Sequence, residues 1–244
     1  DSGTAKTASV SRLADFVGIG DIVSGLSASR TGITYGLREH AQKGWMIKIG
    51  RYPANSRKIV CIDEIQYIKE RDVRTLGKAM DEGFLTIDRI AEKTLESMTR
   101  LIALANPKED KVMDELMFGC EGLRDLFDKP IIRRFDLAIC LTAGDIKSKE
   151  LNLPNVEIIS DKVSKKMLQD LIFWAWTRPS KLIKISKKTT EKILDLSTSL
   201  TERFGDASDV PLVSPGDFSD KLARIATAYA ALCVSTDNKF EKIK

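Results

Sequence analysis

The sequence has no long apolar run and few of the residues that build disulfide frameworks or histidine sites. No stretch approaches the roughly 18 apolar residues that a membrane-spanning helix needs, so no membrane partner is predicted. The 4 cysteines have no paired spacing, and the single histidine lies among charged residues in GLREHAQKG. These scarcities exclude a disulfide framework and a zinc ribbon, and they argue against histidine-based catalysis and histidine metal sites.

The composition is that of a folded protein with nearly balanced charge. Apolar residues make up 43% of the 244 residues, and 39 Lys and Arg face 35 Asp and Glu, for a net charge of +4. Such a chain is too apolar and too evenly charged to be disordered. Its length suits one large domain or two small ones, and its mild basicity permits a nucleic-acid partner without arguing for one.

The chain opens with DSGTAKT, which matches the second half of the phosphate-loop pattern G-x-x-x-x-G-K-[ST]. Gly3 would let backbone amides turn toward a phosphate, Lys6 would reach the β- and γ-phosphates, and the Thr7 hydroxyl would bind Mg²⁺. A helix is predicted over residues 7–17, and its N-terminus would favour anions. The predicted ATP-binding residues are Ser2, Gly3, Thr4, Ala5, Lys6 and Thr7.

Two features qualify this pattern. Ala5 stands where the pattern usually has its second glycine, so a polar terminus that happens to contain GTAKT is the alternative interpretation. The first glycine of the pattern and its preceding strand would come before the first residue. We therefore expect the chain to be a piece of a longer protein.

Strand-like and helix-like stretches alternate over the first 150 residues. RKIVCIDEI, RLIALANP and FDLAICLT predict buried parallel strands; FLTIDRIAEKTLE predicts a hairpin, and residues 69–82 and DELMFGCEGLRDLFD predict helices. This alternation is typical of an α/β fold with a parallel sheet, in which ligands bind at the carboxyl ends of the strands. Further on, helical spacing predicts helices at residues 162–178, 189–204 and 218–234. The predicted organisation is an α/β nucleotide domain over residues 1–150 and a small helical domain over residues 151–244.

Two acids, Asp63 and Glu64, follow the first of these strands. In phosphate-loop ATPases, an acid at this place holds Mg²⁺ and its neighbour orients the attacking water. Asn106 ends the second strand and could hold the same water, and Arg133 and Arg134 precede the third and could meet developing negative charge. A surface Asp-Glu pair at a strand end is the common alternative.

Six strings, in this order, resemble the AAA+ ATPase core of the minichromosome maintenance (MCM) replicative helicases. DSGTAKT is similar to the family's GDPGTAKS, SGLSASRTGIT to its SGKGSSAAGLT, and VCIDEI to its CCIDEF. RLIALANP resembles a string ending in AANP, PIIRRFDLAI resembles PLLSRFDLI, and ARIATAYAAL resembles IRLSEAHAKM. The resemblance covers nearly the whole chain, and SASRTGIT is the string that the related MoxR and magnesium-chelatase ATPases lack.

The resemblance implies an AAA+ P-loop ATPase with a small C-terminal helical lid, and ATP and Mg²⁺ as its ligands. Lys6 and Thr7 match the Walker A lysine and hydroxyl, so Thr7 and Asp63 are the implied metal ligands. Asp63 and Glu64 match the Walker B acids, and Asn106 matches sensor 1. The implied catalytic residues are Glu64, Asn106 and Arg134.

The resemblance also implies a homo-hexameric or related ring that holds single-stranded DNA in its channel. Arg134 matches the arginine finger, which in this family reaches the ATP of the neighbouring subunit. Arg89, in FLTIDRIAEKTLE, falls near the basic hairpin tip that contacts DNA, although an exposed hairpin charge is the alternative. Residues 35–47 occupy the place of the family's helix-2 insertion. The expected compartment is the cytoplasm, at the nucleoid, for a prokaryotic or viral protein and the nucleus for a eukaryotic one.

Two of the departures from the family's pattern lie at positions where the family has functional residues or their neighbours. The family's sensor 2 arginine lies seven residues before the arginine matched by Arg224, and that place holds Asp217, which would repel a phosphate. Arg133 replaces the family's serine and is either a second phosphate-facing cation or a solvated side chain. Three functions therefore stay open: a ring helicase motor, a nucleotide-binding MCM-like subunit with little ATPase activity, and a remodelling ATPase of the MoxR or chelatase type.

Overall fold

The computed structural model of the chain describes residues 3, 5–87, 93–108, 113–145, 163–205 and 211–244. The chain divides into two compact units, residues 1–112 and 113–244. The predicted domain boundary at residue 150 lies outside the described residues, so that boundary stays a prediction.

A parallel sheet forms the centre of the first unit. The strands of this unit are β1 (Gly20–Ser24), β2 (Tyr35–His40), β3 (Gly44–Ile49), β4 (Ile59–Asp63), β5 (Phe84–Ile87), β6 (Lys93–Glu96) and β7 (Arg100–Ala103). The parallel sheet has the order β1-β4-β7, while β2–β3 and β5–β6 are antiparallel hairpins. The predicted α/β architecture with a parallel sheet flanked by helices is therefore confirmed.

β4 is the central strand, and its sequence explains why. Its four apolar residues, from Ile59 to Ile62, are at most 6% exposed. A continuous apolar run suits a strand that is covered on both faces, and β1 and β7 supply its hydrogen-bonding neighbours. β7 was also predicted to be a buried strand, but its four residues are only half-buried.

The helices of the first unit follow the predicted spacing. They are α1 (Lys6–Val17), α2 (Arg30–Ile33), α3 (Arg51–Ala54) and α4 (Glu70–Glu82). In α4, Val73, Leu76 and Ala79 recur every three residues and are buried on one face. Gly83 ends the helix with a φ of 72°, a left-handed conformation that glycine adopts without strain. The helices predicted at residues 7–17 and 69–82 are confirmed. The segment 35–47 forms most of the β2–β3 hairpin.

The second unit is helical. Its helices are α5 (Leu123–Leu126), α6 (Lys129–Ile132), α7 (Lys165–Trp176), α8 (Lys187–Phe204) and α9 (Phe218–Leu232). The last three confirm the three predicted C-terminal helices. The predicted helix in DELMFGCEGLRDLFD is wrong in extent. Gly119 has a φ of 73° and interrupts it, so that only short 3₁₀ turns and α5 form.

The predicted strand FDLAICLT is wrong. Residues 135–142 form no strand, and the side chains of Leu137 and Ile139 are 65% and 76% exposed. An apolar run becomes a strand only where another strand satisfies its backbone groups. No described residue pairs with this stretch as a strand.

Across the described ranges, no helix combines the length and the apolar character that crossing a membrane requires.

Candidate nucleotide-binding site

The backbone that leads into α1 is curled. Gly3 and Ala5 have φ values of 75° and 56°, both in the left-handed region, and α1 begins at Lys6 directly afterwards. Ala5 has a Cβ, so this conformation costs it about 1–2 kcal/mol relative to right-handed backbone. The first N–H groups of a helix have no partner within it, and together with the helix dipole they attract anions. Of the other predicted loop residues, Ser2 and Thr4 lie outside the described residues.

Lys6 stands at the first position of α1 and is half-buried. Burial lowers the pKa of its ammonium group, and the negative charge of Asp63 opposes that shift. An ammonium group that is partly removed from water attracts an anion more strongly, because fewer water dipoles screen its charge. The half-buried ammonium group of Lys6 therefore lies at the N-terminus of α1, where backbone N–H groups also favour an anion.

The two predicted metal ligands are in direct contact. The Thr7 hydroxyl donates a hydrogen bond of 2.9 Å to Oδ2 of Asp63, although the two residues are 56 positions apart in the chain. This bond joins the start of α1 to the carboxyl end of β4. Mg²⁺ prefers oxygen ligands and typically takes one or two carboxylates beside the phosphates of its nucleotide. One hydroxyl and one carboxylate at a helix N-terminus fit that requirement.

Glu64 leaves β4 in a left-handed turn. It has φ 54° and ψ 44°, and its backbone N–H donates a 3.0 Å bond to Oδ1 of Asp63. The next residue, Ile65, is 1% exposed, and its N–H donates to the carbonyl oxygen of Leu104 at 3.0 Å. The turn is therefore held on both sides, which fixes the point from which the half-buried Glu64 side chain starts.

Sequence reasoning missed β1 and the glycine that follows it. Gly25 donates its N–H to the carbonyl oxygen of Asp63 at 2.7 Å. A Cβ atom on Gly25 would lie 2.3 Å from the carbonyl oxygen of Glu64, far inside the distance that real Cβ atoms keep. Glycine is the one residue that lets the backbone approach Asp63 and Glu64, which we call the acidic turn, this closely. The signal was present in the string SGLSASRTGIT, but its structural role appears only in the paired strands.

The backbone that carries Asn106 runs beside the acidic turn. Ala103 of β7 stands opposite Ile62, and the Leu104 N–H donates to the Ile62 carbonyl oxygen at 2.8 Å. Asn106, two residues further along, is half-buried. The polar ends of β4 and β7 thus leave the sheet at the same edge, as ligand sites of parallel sheets do.

Arg134 belongs to the second unit, in the turn after α6. Its guanidinium Nη1 donates to the carbonyl oxygen of Pro130 at 3.1 Å. The neighbouring Arg133 lies 3.4 Å from Oδ2 of Asp217, so the acid at the expected sensor 2 position faces a cation. Arg89, the predicted DNA-binding residue, lies outside the described residues.

Curated relatives resemble this chain at low identity. It is 28% identical over 143 residues to "DNA replication licensing factor Mcm6" of Drosophila melanogaster, which covers 58% of this chain and 17% of that protein. It is 24% identical over 168 residues to "Probable DNA helicase MCM9" of Oryza sativa subsp. indica. That alignment covers 68% of this chain and 24% of the relative. It is 27% identical over 148 residues to "DNA replication licensing factor mcm2" of Xenopus tropicalis. That alignment covers 60% of this chain and 16% of the relative. The chain thus aligns with no more than 24% of the length of any of these three relatives.

The family model described as "MCM P-loop domain" matches residues 1–159, well over half of the chain. The matched range begins with the loop and α1, and includes the acidic turn after β4, the end of β7 and the turn that carries Arg134. This chain therefore belongs to the MCM family.

Proposed function

We propose that this chain is the ATP-hydrolysing AAA+ core of an MCM-like ring helicase, which couples hydrolysis to movement along single-stranded DNA. The observation that carries the proposal is the hydrogen bond between Thr7 and Asp63, because it brings the Walker A and Walker B candidates together at a helix N-terminus. Family membership supports it, as does the similarity to the "Probable DNA helicase MCM9" of Oryza sativa.

Nucleotide binding would use the start of α1. The backbone N–H groups of its first turn and the Lys6 ammonium group would hold the phosphates. Thr7 and Asp63 would hold Mg²⁺, which would neutralise negative charge on the phosphates. Lys6 is half-buried, so its charge would be used on the phosphates rather than screened by water.

Hydrolysis would depend on three side chains. Glu64 would orient the attacking water and accept its proton, and Asn106 would hold the same water in line with the γ-phosphate. Arg134 would reach the ATP of the neighbouring subunit and stabilise the charge that develops in the transition state. In this proposal each active site is complete only where two subunits meet.

The ring would enclose single-stranded DNA, with Arg89 on a hairpin between the Walker B and sensor 1 strands. The phosphate backbone would be the main contact, since it is the same in every sequence. The relatives are animal and plant proteins, so of the two compartments set out above, the nucleus is the expected one.

An ATPase assay with and without single-stranded DNA tests the proposal. Turnover that DNA stimulates supports the motor. Nucleotide binding without turnover would point instead to an MCM-like subunit with little ATPase activity, and turnover indifferent to DNA to a remodelling ATPase. Membership of the MCM family favours the motor over the remodelling ATPase.

A further inference from the structure

One face of the α9 segment carries three charged residues. Asp217 immediately precedes the helix, and Lys221 and Arg224 follow at four and seven positions further on. At 3.6 residues per turn, these spacings bring the three side chains onto the same face. This face meets the turn after α6, residues 133–136, which we call the finger turn.

Two ion pairs join the finger turn to that face. Arg133 Nε lies 3.4 Å from Asp217 Oδ2 at one end of the turn. At the other end, Arg224 donates to Asp136 Oδ1 from Nε at 2.8 Å and from Nη2 at 2.6 Å. Arg134, the proposed arginine finger, lies between the two paired residues in the chain.

The carboxylate of Asp217 is engaged on both oxygens. Ser214 Oγ donates to Oδ1, while Arg133 Nε donates to Oδ2. Arg133 and Asp217 are also the two departures from the family's pattern that were noted above beside the arginine finger and at the sensor 2 position. The structure makes these two side chains partners, with the anion at the start of α9 facing the cation on the finger turn.

A buried lysine lies within the same cluster. Lys221 is 1% exposed, and its Nζ donates to the carbonyl oxygen of Leu212 at 3.2 Å. Burial lowers the pKa of Lys221, the two paired carboxylates oppose that shift, and the two paired arginines add to it. A buried charge needs compensation, and the negative charges of the two carboxylates supply part of it.

The ion pairs themselves are partly open to water. The exposed fractions of the four paired side chains run from 33% to 57%. Pairs of this kind contribute little to folding stability. Their effect is expected instead in the placement of the turn, where small displacements of a catalytic group reduce turnover strongly.

We propose that Asp217 and Arg224 are positioning residues for the arginine finger: from one face of α9 they hold both ends of the finger turn and so set the reach of Arg134. This inference rests on the proposed function, because it needs Arg134 to act in hydrolysis. In this inference Asp217 occupies the expected position of the sensor 2 arginine but has a different role.

The test compares Arg133→Gln, Asp217→Asn and the double variant with the conservative Asp217→Glu. Each single neutral variant is expected to lower kcat roughly tenfold, with the affinity for ATP within about twofold of the parent. The double variant should lose no more than either single variant, since both remove the same pair. Asp217→Glu keeps the charge and should retain most of the turnover.

The matched control is Asp220→Asn. It removes one negative charge from the first turn of the same helix, at an exposed residue that forms no ion pair within the described ranges. Its kcat should match the parent. Thermal unfolding of every variant shows whether a loss of turnover comes from a loss of fold. Arg133→Gln should be the least destabilised, because it keeps the Asp217 charge that compensates the buried Lys221.

Mixed rings supply a readout that a structural role would not move. Lys6→Ala subunits should hydrolyse nothing themselves but offer an intact finger turn to a neighbour. Adding them to Asp217→Asn subunits should raise turnover per competent site, as it should for Arg134→Ala subunits. No rise with Asp217→Asn, alongside a rise with Arg134→Ala, would overturn the inference.

The remaining outcomes separate the inference from the proposed function. Parental kcat in Arg133→Gln and Asp217→Asn, with a large loss in Arg134→Ala, overturns the inference and leaves the proposed function standing. A rise in KM with unchanged kcat overturns it as well, because Asp217 would then act on ATP binding. Parental turnover in both Glu64→Gln and Arg134→Ala, or no turnover in the parent, overturns both.

Discussion

Asp63 divides its two carboxylate oxygens between two neighbours. Oδ2 accepts from the Thr7 hydroxyl, and Oδ1 accepts from the backbone N–H of Glu64. The first bond reaches the phosphate-loop side of the proposed site, and the second holds the turn that aims Glu64. A single side chain thus couples the place where the nucleotide would bind to the group that would activate water.

Glu64→Gln should separate binding from hydrolysis. The amide keeps the size of the side chain and leaves Thr7 and Asp63 in place, but it cannot accept a proton from water. We expect ATP to bind as in the parent while kcat falls by about 10²–10⁴. Lys6→Ala is the companion variant, and it should weaken binding itself. Wild-type turnover in Glu64→Gln would refute the Walker B assignment.

Tyr52 makes the first unit less stable to unfolding at alkaline pH. Its hydroxyl donates to the Thr99 carbonyl oxygen at 3.1 Å, and burial raises its pKa from 10.0 to about 12. The unfolded chain therefore ionises first, so the contribution of Tyr52 is complete below pH 10 and is lost as the pH rises from 10 to 12. The loss is about 2–3 kcal/mol.

Tyr52→Phe isolates this effect. Without the hydroxyl, the variant should be about 1 kcal/mol less stable at neutral pH, because the Thr99 carbonyl loses its donor. Its stability should then fall less than that of the parent between pH 10 and 12. Urea unfolding of both proteins across that range measures the difference, and parallel pH curves would contradict the assignment.

At the scale of elements, the end of β1 sets the position of the acidic turn. Gly25→Ala would force its Cβ against the Glu64 carbonyl oxygen, so the turn must shift. We expect a loss of about 1–3 kcal/mol in stability and at least tenfold in kcat. Gly32→Ala is the matched control in the same segment, because its Cβ would lie 3.4 Å from Ser29 Oγ, near ordinary contact. Equal behaviour of the two variants would show that Gly25 does not position Glu64.

The elements that local sequence pattern determines could be predicted. β4 is a continuous apolar run, and α4 repeats its apolar residues at helical spacing, so both follow from local pattern. β1 was missed because GDIVS is only partly buried and becomes a strand through pairing with β4. FDLAICLT failed for the opposite reason, since an apolar run without a partner strand does not form one.

The candidate site divides in the same way. The residue types at the phosphate loop and the acidic turn follow from short motifs, so the sequence predicts Thr7 and Asp63 as ligands of one metal ion. Their direct hydrogen bond appears only in the structure. The close approach of Gly25 and the pairing of Arg133 with Asp217 depend on segments far apart in the chain. Local pattern contains no information about such distances, which explains why these contacts appear only in the folded structure.

At the scale of the whole molecule, the parts of the proposed active site belong to different units. Lys6, Thr7, Asp63 and Glu64 lie in the first unit, and Arg134 lies in the second. In the proposed ring, the second unit of one subunit would serve the first unit of its neighbour. Hydrolysis should therefore depend on assembly. In the same ring, the positive charge of Arg89 would occur once in each subunit.

The coupling to DNA is expected to pass through Arg89. It belongs to residues 88–92, outside the described residues, which connect two antiparallel strands, β5 and β6, with Ile87 opposite Lys93. A positive side chain facing the channel would meet the phosphate backbone, so Arg89→Ala should weaken single-stranded DNA binding equally across sequences and flatten its dependence on salt. Because the contact repeats around the ring, the loss should exceed that of one exposed charge. DNA stimulation of the ATPase should disappear while basal turnover stays near that of the parent.

Lys93→Ala, at the first residue of β6, is the control for a general loss of positive charge on the hairpin. Unchanged affinity and salt slope in a fully assembled Arg89→Ala ring would assign Arg89 to the solvated surface.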